Sequence, residues 1–268
     1  MLRKWFYRFL IELTNHRVSS LLLRRFTESK LSAKLISSYS KVYRINHSEI
    51  RDDIGSFNTL HDFFIRNIKP ETRPIDSTST SIVSPVDGVV EETGSILPTK
   101  EIVVKGKAYS ISEMVDNEEI LEKYIDGTFM VLYLSPSHYH RIHSPVSGII
   151  THQWTRGRKS YPVNRLGLKY GKAPLSKNYR KLTEILSNGK HLLVVKVGAM
   201  FVNSIELTHT DNQVEKGKEM AYFSFGSTVI LLFEKNAYRI ETRDTPYNIK
   251  VGEVVGYLIQ EENKKSQQ

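Results

Sequence analysis

The chain has 268 residues, 40% of them hydrophobic and 25% charged, so it can bury a substantial core and is unlike a disordered protein. The absence of cysteine excludes disulfides, thiolate metal sites and a cysteine nucleophile, and favours an intracellular protein. The formal net charge is +9, and residues 1–46 hold ten Lys or Arg against two Glu. We therefore expect an anionic partner, either nucleic acid or a membrane surface, to meet the N-terminal region.

The N-terminal region has the pattern of interfacial amphipathic helices. The stretch "MLRKWFYRFLIEL" (1–13) places aromatic and leucine residues at helical spacing between Arg and Lys, and "SSLLLRRF" (19–26) continues the pattern. Neither stretch reaches the roughly 20 apolar residues that span a bilayer, and no signal-peptide cleavage pattern follows. We interpret both as helices on a membrane surface; the alternative is that they pack on the protein body.

The predicted elements change after about residue 70. Helical spacing continues through "LSAKLISSYSKVYRI" (31–45) and "SFNTLHDFFIRNI" (56–68), with Ser56 as the expected N-cap. A connector rich in Pro, Ser and Thr, "KPETRPIDSTSTS" (69–81), then leads into seven short runs typical of strands. These are "SIVSPVDGVVEET", "EIVVKGKAYSI", "TFMVLYLSP", "SGIITHQW", "HLLVVKVGAMFV", "STVILLFEK" and "VGEVVGYLI".

The resulting expectation is an α+β fold. A helical membrane-associating region covers residues 1–70, and a mainly antiparallel, β-rich catalytic domain covers 71–268, with one convincing helix at "ISEMVDNEEILEKYI" (111–125). An internal echo, "SPVDGVV" (84–90) and "SPVSGII" (144–150), predicts two similar β units in which positions 87 and 147 have similar settings.

Several residues could carry chemistry. His138, His140 and His143 lie within "SPSHYHRIHSPV", but a single strand would not present all three to one metal, so we predict no metal site. Taken singly, Asp87 is also typical of a structural turn residue and Ser227 of a structural loop residue. Together, Asp87, His143 and Ser227 supply the carboxylate, imidazole and hydroxyl of a nucleophile triad.

The order of motifs adds a family resemblance. The chain resembles the phosphatidylserine decarboxylase proenzymes, a pyruvoyl-dependent family, over nearly its whole length. The matching stretches are "FFIRNIKPETRPID", "SPVDGVV", "VKGKAYSISEM", "LSPSHYHRIHSPVSG", "YPVN", "VGAMFVNSI" and "KGKEMAYFSFGSTVILLFEK". The chain departs from many members at Phe225, Met200 and Asn203, none of which is needed for the chemistry.

The resemblance implies self-cleavage between Gly226 and Ser227, with Asp87, His143 and Ser227 as the cleavage triad. Ser227 would become a pyruvoyl group that forms a Schiff base with phosphatidylserine and releases CO2 to give phosphatidylethanolamine. His140 is the candidate for a role in decarboxylation. The two product chains, 1–226 and 227–268, would remain associated.

The resemblance also bears on partners. An enzyme for a membrane lipid is expected to bind an anionic membrane surface and not nucleic acid, as a peripheral protein on the cytoplasmic side of the cell membrane. The resemblance is also compatible with a homo-oligomer. Two alternatives remain: a serine hydrolase that uses the same triad on an external ester, and a non-catalytic membrane-binding module. The absence of a Gly-x-Ser-x-Gly elbow around Ser227 speaks against the hydrolase.

Overall fold

The computed structural model describes residues 17–199, 205–224 and 227–260. The predicted helix at residues 1–13, and Gly226 with Phe225, Met200 and Asn203, lie outside these ranges. The α-helices of the described chain are α1 Arg17–Thr27, α2 Ile36–Val42, α3 Leu60–Phe64, α4 Ile111–Val115, α5 Glu118–Leu121, α6 Arg165–Tyr170 and α7 Pro174–Lys177. Short 3-10 helices span Lys30–Leu35, His47–Glu49, Ile54–Ser56, Pro70–Thr72 and Glu122–Tyr124.

The N-terminal part of the described chain is helical, as predicted. The apolar run 19–26 lies in α1, and α2 falls within the predicted segment 31–45. A small core joins α2 and α3 to the loops between them, through Ile36, Ile45, Ile50, Leu60 and Phe63. Within the described ranges, no helix has the length and apolar character needed to cross a membrane.

The rest of the chain is mainly antiparallel sheet, which confirms the α+β prediction. The strands are β1 Ser81–Val83, β2 Gly88–Ser95, β3 Glu101–Val104, β4 Lys107–Ser110, β5 Thr128–Leu134, β6 Arg141–His143, β7 Gly148–Arg156, β8 Arg180–Ser187, β9 Lys190–Gly198, β10 Ile205–Leu207, β11 Gln213–Val214, β12 Glu219–Phe223, β13 Ser227–Phe233, β14 Tyr238–Ile240, β15 Tyr247–Ile249 and β16 Val254–Leu258. All seven predicted runs contain a strand.

An eight-stranded sheet organises the molecule. Its strand order is β11-β7-β8-β9-β13-β5-β2-β15, so β13 lies near the centre between β9 and β5. Two three-stranded sheets, β10-β12-β6 and β1-β16-β14, pack on one face through a core of aliphatic and aromatic residues. The hairpin β3-β4 and helices α4 to α7 cover the other face through a second core. Because both faces are covered, β13 is buried at every position, which explains its unbroken apolar run.

The internal echo corresponds to two turns with the same hydrogen bonds. Ser84 Oγ donates to the carbonyl oxygen of Val86 at 2.7 Å, and Ser144 Oγ donates to that of Val146 at 2.7 Å. Each turn enters a strand, β2 or β7, that carries an irregularity just after its second β-branched residue. The two turns are therefore similar in their hydrogen bonds, but the expectation that positions 87 and 147 have similar settings is wrong, because Asp87 is buried and Ser147 is exposed.

The glycine of each echo turn is required by a close strand approach. A Cβ on Gly88 would lie 2.7 Å from the carbonyl oxygen of Tyr133, and a Cβ on Gly148 would overlap the carbonyl oxygen of Leu186. In both turns the glycine lets the strand lie against its neighbour without a steric clash.

Two local predictions are wrong. The helix expected at 111–125 is split, because Asp116 adopts a left-handed conformation (φ 52°) that ends α4, and Asn117 caps α5 by accepting from the Ile120 amide. The expected N-cap Ser56 instead ends a 3-10 turn. Thr59 caps α3, its hydroxyl accepting from the Asp62 amide at 3.0 Å.

Candidate active site

Ser227 is the first residue of β13 and is held in the backbone of the central sheet. It is paired with Leu134 of β5 on one side and with Gly198 of β9 on the other, and its side chain is fully buried. Among the described residues, neither Ser227 Oγ nor Thr228 Oγ1 has a hydrogen-bond partner. Leaving a buried hydroxyl unsatisfied costs about 1–3 kcal/mol, so two in succession indicate a functional site.

His140 is fully buried beside the strand that leads to Ser227. Its carbonyl oxygen accepts from the amide of Phe223, the last residue of β12. Its Nδ1 donates to the carbonyl oxygen of His138 at 2.8 Å, and its ring lies 4.0 Å from that of Phe64, centroid to centroid. This leaves Nε2 as an acceptor with no partner among the described residues. Burial, reinforced by the nearby charge of Arg66, holds the pKa of His140 well below its ordinary value.

His143 is fixed at both ring nitrogens. Nδ1 donates to the carbonyl oxygen of Gly217 at 2.8 Å, and Nε2 accepts from the hydroxyl of Tyr139 at 3.1 Å. Burial lowers the pKa of His143 despite the bond to Gly217, which raises it. The ring is therefore neutral near pH 7 with Nε2 as its basic nitrogen, the form that a general base requires.

Asp87 lies in the first echo turn and is held by a buried arginine. Arg73 donates from Nε to Oδ1 at 2.8 Å and from Nη2 to Oδ2 at 2.5 Å, and the Val251 amide donates to Oδ1 at 2.9 Å. Arg73 also donates to Glu49 at 2.7 Å. The Asp87 carboxylate is thus fixed in direction and compensated in charge by a bidentate partner.

These residues gather at one end of the eight-stranded sheet. The His143 amide donates to the carbonyl oxygen of Pro85 at 2.8 Å, which places it beside the turn of Asp87. Only β5 separates Ser227 from the start of β2, so their backbones lie roughly 10 Å apart at the usual strand spacing. Within the described residues, no hydrogen bond joins any two of Asp87, His143 and Ser227. Their triad roles therefore stay a prediction.

A polar cavity opens beside this site. Its volume is about 340 Å³, and its walls include Asp87, His138, Arg44, Arg66 and Lys250. The positively charged side chains on its wall suit an anionic ligand. Among the described residues, no group of three or more His, Asp or Glu side chains is arranged to hold a metal ion.

Sequence reasoning missed two arginines of the site. Arg73 clamps Asp87, and Arg66 donates to the carbonyl oxygens of Ser137 at 3.0 Å and of His138 at 3.2 Å. Arg66 and His140 therefore share the carbonyl of His138 as an acceptor. Both arginines lie in "FFIRNIKPETRPID", a stretch that carries the family resemblance, but no spacing rule pairs them with residues 14 and about 70 positions away.

Together, the fold and the site define an α+β protein with a buried serine in its central sheet and neutral histidines at the same end. The chain belongs to the phosphatidylserine decarboxylase family, whose family model matches residues 60–257. The match spans all the candidate site residues from Arg66 to Ser227.

Curated relatives agree over nearly the whole chain. The phosphatidylserine decarboxylase proenzyme of Geobacillus sp. (strain WCH70) is 59% identical over 256 residues, covering 95% of this chain and 99% of the relative. The proenzyme of Anoxybacillus flavithermus (strain DSM 21510 / WK1) is 57% identical, covering 98% and 99%. That of Bacillus mycoides (strain KBAB4) is 53% identical, covering 95% and 97%.

Proposed function

We propose that this protein is a phosphatidylserine decarboxylase that cleaves itself between Gly226 and Ser227 and uses a pyruvoyl group made from Ser227. The observation that carries the proposal is the position of Ser227, which is fully buried and bonded on both sides into the central sheet, and whose hydroxyl has no hydrogen-bond partner among the described residues. A serine buried in this way is poorly placed to attack an external ester, whereas the peptide bond that precedes it adjoins it in the chain.

The candidate residues at this end of the sheet carry the groups that such a cleavage needs. The Ser227 hydroxyl attacks the carbonyl carbon of Gly226, and its proton passes to Nε2 of His143. Asp87 supports the site electrostatically from its fixed position on Arg73. The C–N bond between Gly226 and Ser227 breaks, so the Gly226 acyl group passes to Ser227 Oγ as an ester and the nitrogen becomes the amine of Ser227. Loss of the α-proton of Ser227 then breaks the Cβ–Oγ bond, which leaves Gly226 as a C-terminal carboxylate and dehydroalanine at position 227. Hydrolysis of the dehydroalanine at position 227 consumes one water, releases ammonia and leaves the pyruvoyl group.

The surroundings of position 227 fit this group. The buried strand start excludes water, and His140 Nε2, which has no hydrogen-bond partner among the described residues, offers a polar contact at the same end of the sheet. The pyruvoyl carbonyl supplies an electron sink for the loss of CO2, which no ordinary side chain offers. In our proposal, His140 holds or transfers a proton at Nε2, because Nδ1 is already committed to the His138 carbonyl.

Membrane association follows from the lipid nature of the substrate. Helix α1 exposes Leu22 and Phe26 beside Arg24 and Arg25, a combination suited to the surface of an anionic bilayer. We propose peripheral attachment on the cytoplasmic side of the cell membrane. Deleting residues 1–46 should weaken sedimentation with anionic vesicles, and unchanged sedimentation would contradict this role.

The decisive experiment is the intact mass of the purified protein under denaturing conditions, compared with the Ser227→Ala variant. We expect two wild-type chains, the smaller beginning at position 227 with the mass of a pyruvoyl terminus, and a single Ser227→Ala chain. Phosphatidylserine should yield phosphatidylethanolamine only with the cleaved protein. An intact wild-type chain in active preparations would overturn the mechanism and favour the hydrolase, whereas an intact chain without activity would favour the membrane-binding module.

A further inference from the structure

The acidic residues of this chain are unevenly distributed. Outside residues 1–46 the net charge is close to zero, yet no Asp or Glu occurs between Asp126 and Glu184. Within this interval, the segment 157–172, hereafter the basic loop, contains five cationic residues: Arg158, Lys159, Arg165, Lys169 and Lys172. A positive charge of this density on a short segment creates a local field that attracts anions.

Several cations of the basic loop face solvent without a carboxylate partner. Arg158, Lys159 and Lys169 are exposed, and none forms a salt bridge with a described residue. Some exposed cations elsewhere on the protein are paired with a carboxylate. For example, Lys100 lies 2.6 Å from Glu118, Lys235 lies 2.9 Å from Asp126 and Arg243 lies 2.8 Å from Glu241. Three of the five cations of the basic loop are thus not neutralised by a carboxylate of the described residues.

The basic loop also presents an apolar side chain. Leu166 of α6 is 51% exposed, whereas Leu168, two residues later, is buried in the core. The Leu168 carbonyl accepts a bond from the hydroxyl of the buried Tyr109 at 2.9 Å. The helix is therefore anchored from below while Leu166 points away from the body, between the cations. Exposed apolar and basic groups in alternation are typical of surfaces that bind the interface of an anionic bilayer.

The structure ties the basic loop to the end of the sheet that carries Ser227. The buried Asn178 side chain bonds to both the amide and the carbonyl of Tyr161, at 2.9 and 2.7 Å, and to the carbonyl of Gly198 at 2.8 Å. Gly198 is the strand partner of Ser227. One asparagine thus connects the basic loop to the residue beside the proposed reaction centre.

We propose that the basic loop is a second docking surface for anionic phospholipid bilayers, in which its cations contact lipid phosphates and Leu166 enters the interface. Docking there would turn the Ser227 end of the sheet toward the bilayer. The inference extends the membrane association proposed above, but its test needs no lipid substrate, so failure of one does not imply failure of the other.

A site-specific probe tests the proposal. The chain has no cysteine, so Leu166→Cys can be labelled uniquely with an environment-sensitive fluorophore. The probe surface is a vesicle of phosphatidylcholine and phosphatidylglycerol in equal parts, without phosphatidylserine. We expect a blue shift on adding these vesicles to the full-length protein and none with phosphatidylcholine alone. The matched control is Ile149→Cys, which is 56% exposed at the opposite end of β7, and whose label should not respond.

A charge variant tests the same surface without a label. Replacing Arg158, Lys159 and Lys169 with Gln should reduce vesicle partitioning by about 100-fold at low salt, since each basic residue near the surface contributes roughly fivefold. Replacing Lys100, Lys235 and Arg243 with Gln removes the same net charge elsewhere and should have a much smaller effect. The proposal is overturned if the Leu166→Cys label stays in an aqueous environment while the protein sediments with the vesicles. It is equally overturned if the two triple variants bind alike.

Discussion

Arg73 and Asp87 form a buried ion pair with two parallel hydrogen bonds, of 2.8 and 2.5 Å, and both side chains are about 7% exposed. The same guanidinium reaches Glu49, so the pair links the N-terminal helical region to the turn that carries Asp87. The orientation of Asp87 therefore depends on a residue that precedes the β-rich domain's first strand.

Removing the arginine should destabilise the protein and slow its processing. Arg73→Met leaves the Asp87 carboxylate buried without its partner, which typically costs about 3–5 kcal/mol. Urea denaturation should show this loss in a Ser227→Ala background, where no cleavage complicates the transition. Arg51→Met is the control, because Arg51 is 56% exposed and its ion pair with Asp52 is long, at 3.4 Å. Loss of this exposed pair should change the free energy of unfolding by less than about 0.5 kcal/mol. Equal stability of the two variants would show that the pair contributes nothing.

The pH dependence of self-cleavage should report His143. A general base must be neutral, and burial lowers the pKa of His143 from its ordinary value near 6.5. The cleavage rate should therefore stay constant from pH 8 to about 6.5 and decline only below it. Pulse synthesis in a cell-free extract, followed by transfer to buffers of different pH, measures this rate. A decline that begins above pH 7 would assign the base role to another group.

The two histidines should separate cleavage from decarboxylation. His143→Gln should block chain cleavage. His140→Gln should still cleave but lose most decarboxylase activity, because glutamine has no basic nitrogen in the place of the His140 Nε2. Gel electrophoresis measures chain cleavage, and release of CO2 from phosphatidylserine measures decarboxylation. If the cleaved His140→Gln enzyme turned over at the wild-type rate, His140 would have no part in the reaction.

A buried lysine should make stability rise with pH. Lys196 on β9 is fully buried, its ammonium donates to Thr183 Oγ1 at 2.7 Å, and burial with help from Lys181 lowers its pKa to about 7. Between pH 7 and about 10 the unfolded chain binds this proton and the folded chain does not, so folding gains stability as the pH rises.

Lys196→Met should therefore stabilise the protein by roughly 2–4 kcal/mol at pH 7, and the gain should shrink toward pH 10. Thermal unfolding at both pH values measures it. Lys41→Met, at an exposed lysine, should be close to neutral at either pH. Destabilisation by Lys196→Met at pH 7 would mean that its hydrogen bond outweighs the cost of burial.

The second echo turn should tolerate no side chain at its glycine. Gly148→Ala pushes a methyl group against the Leu186 carbonyl of the neighbouring strand and should cost about 1–3 kcal/mol. Gly55→Ala is the matched control, since the nearest atom to its new Cβ would lie 3.8 Å away. Similar melting temperatures for the two variants would show that β7 can shift to accommodate the methyl group.

Sequence patterns predicted the parts of this structure that depend on neighbouring residues. Runs of β-branched and aliphatic residues marked β5, β9 and β13, and Pro and Gly marked the echo turns. Strand β8 was missed because "RKLTEILS" carries charged side chains, including Glu184. The Glu184 carboxylate is buried and accepts hydrogen bonds from Lys123 and Tyr124, which lie some 60 positions earlier in the chain. The ion pair of Arg73 with Asp87 and the acceptor shared by Arg66 and His140 also depend on tertiary contacts, which no local pattern encodes.

The place of β13 in the sheet has a consequence for refolding. All seven of its residues pair with β9 and with β5, and β14, β15 and β16 also lie in sheets formed with earlier strands. Before the proposed cleavage, these strands are joined covalently to their partners, so refolding is a unimolecular process. After it, residues 227–268 form a separate molecule that must find its place between two strands of another chain. Refolding of the mature protein from denaturant then becomes second order in protein concentration. The lifetime of the folded mature protein depends on the rate at which the assembled sheet opens.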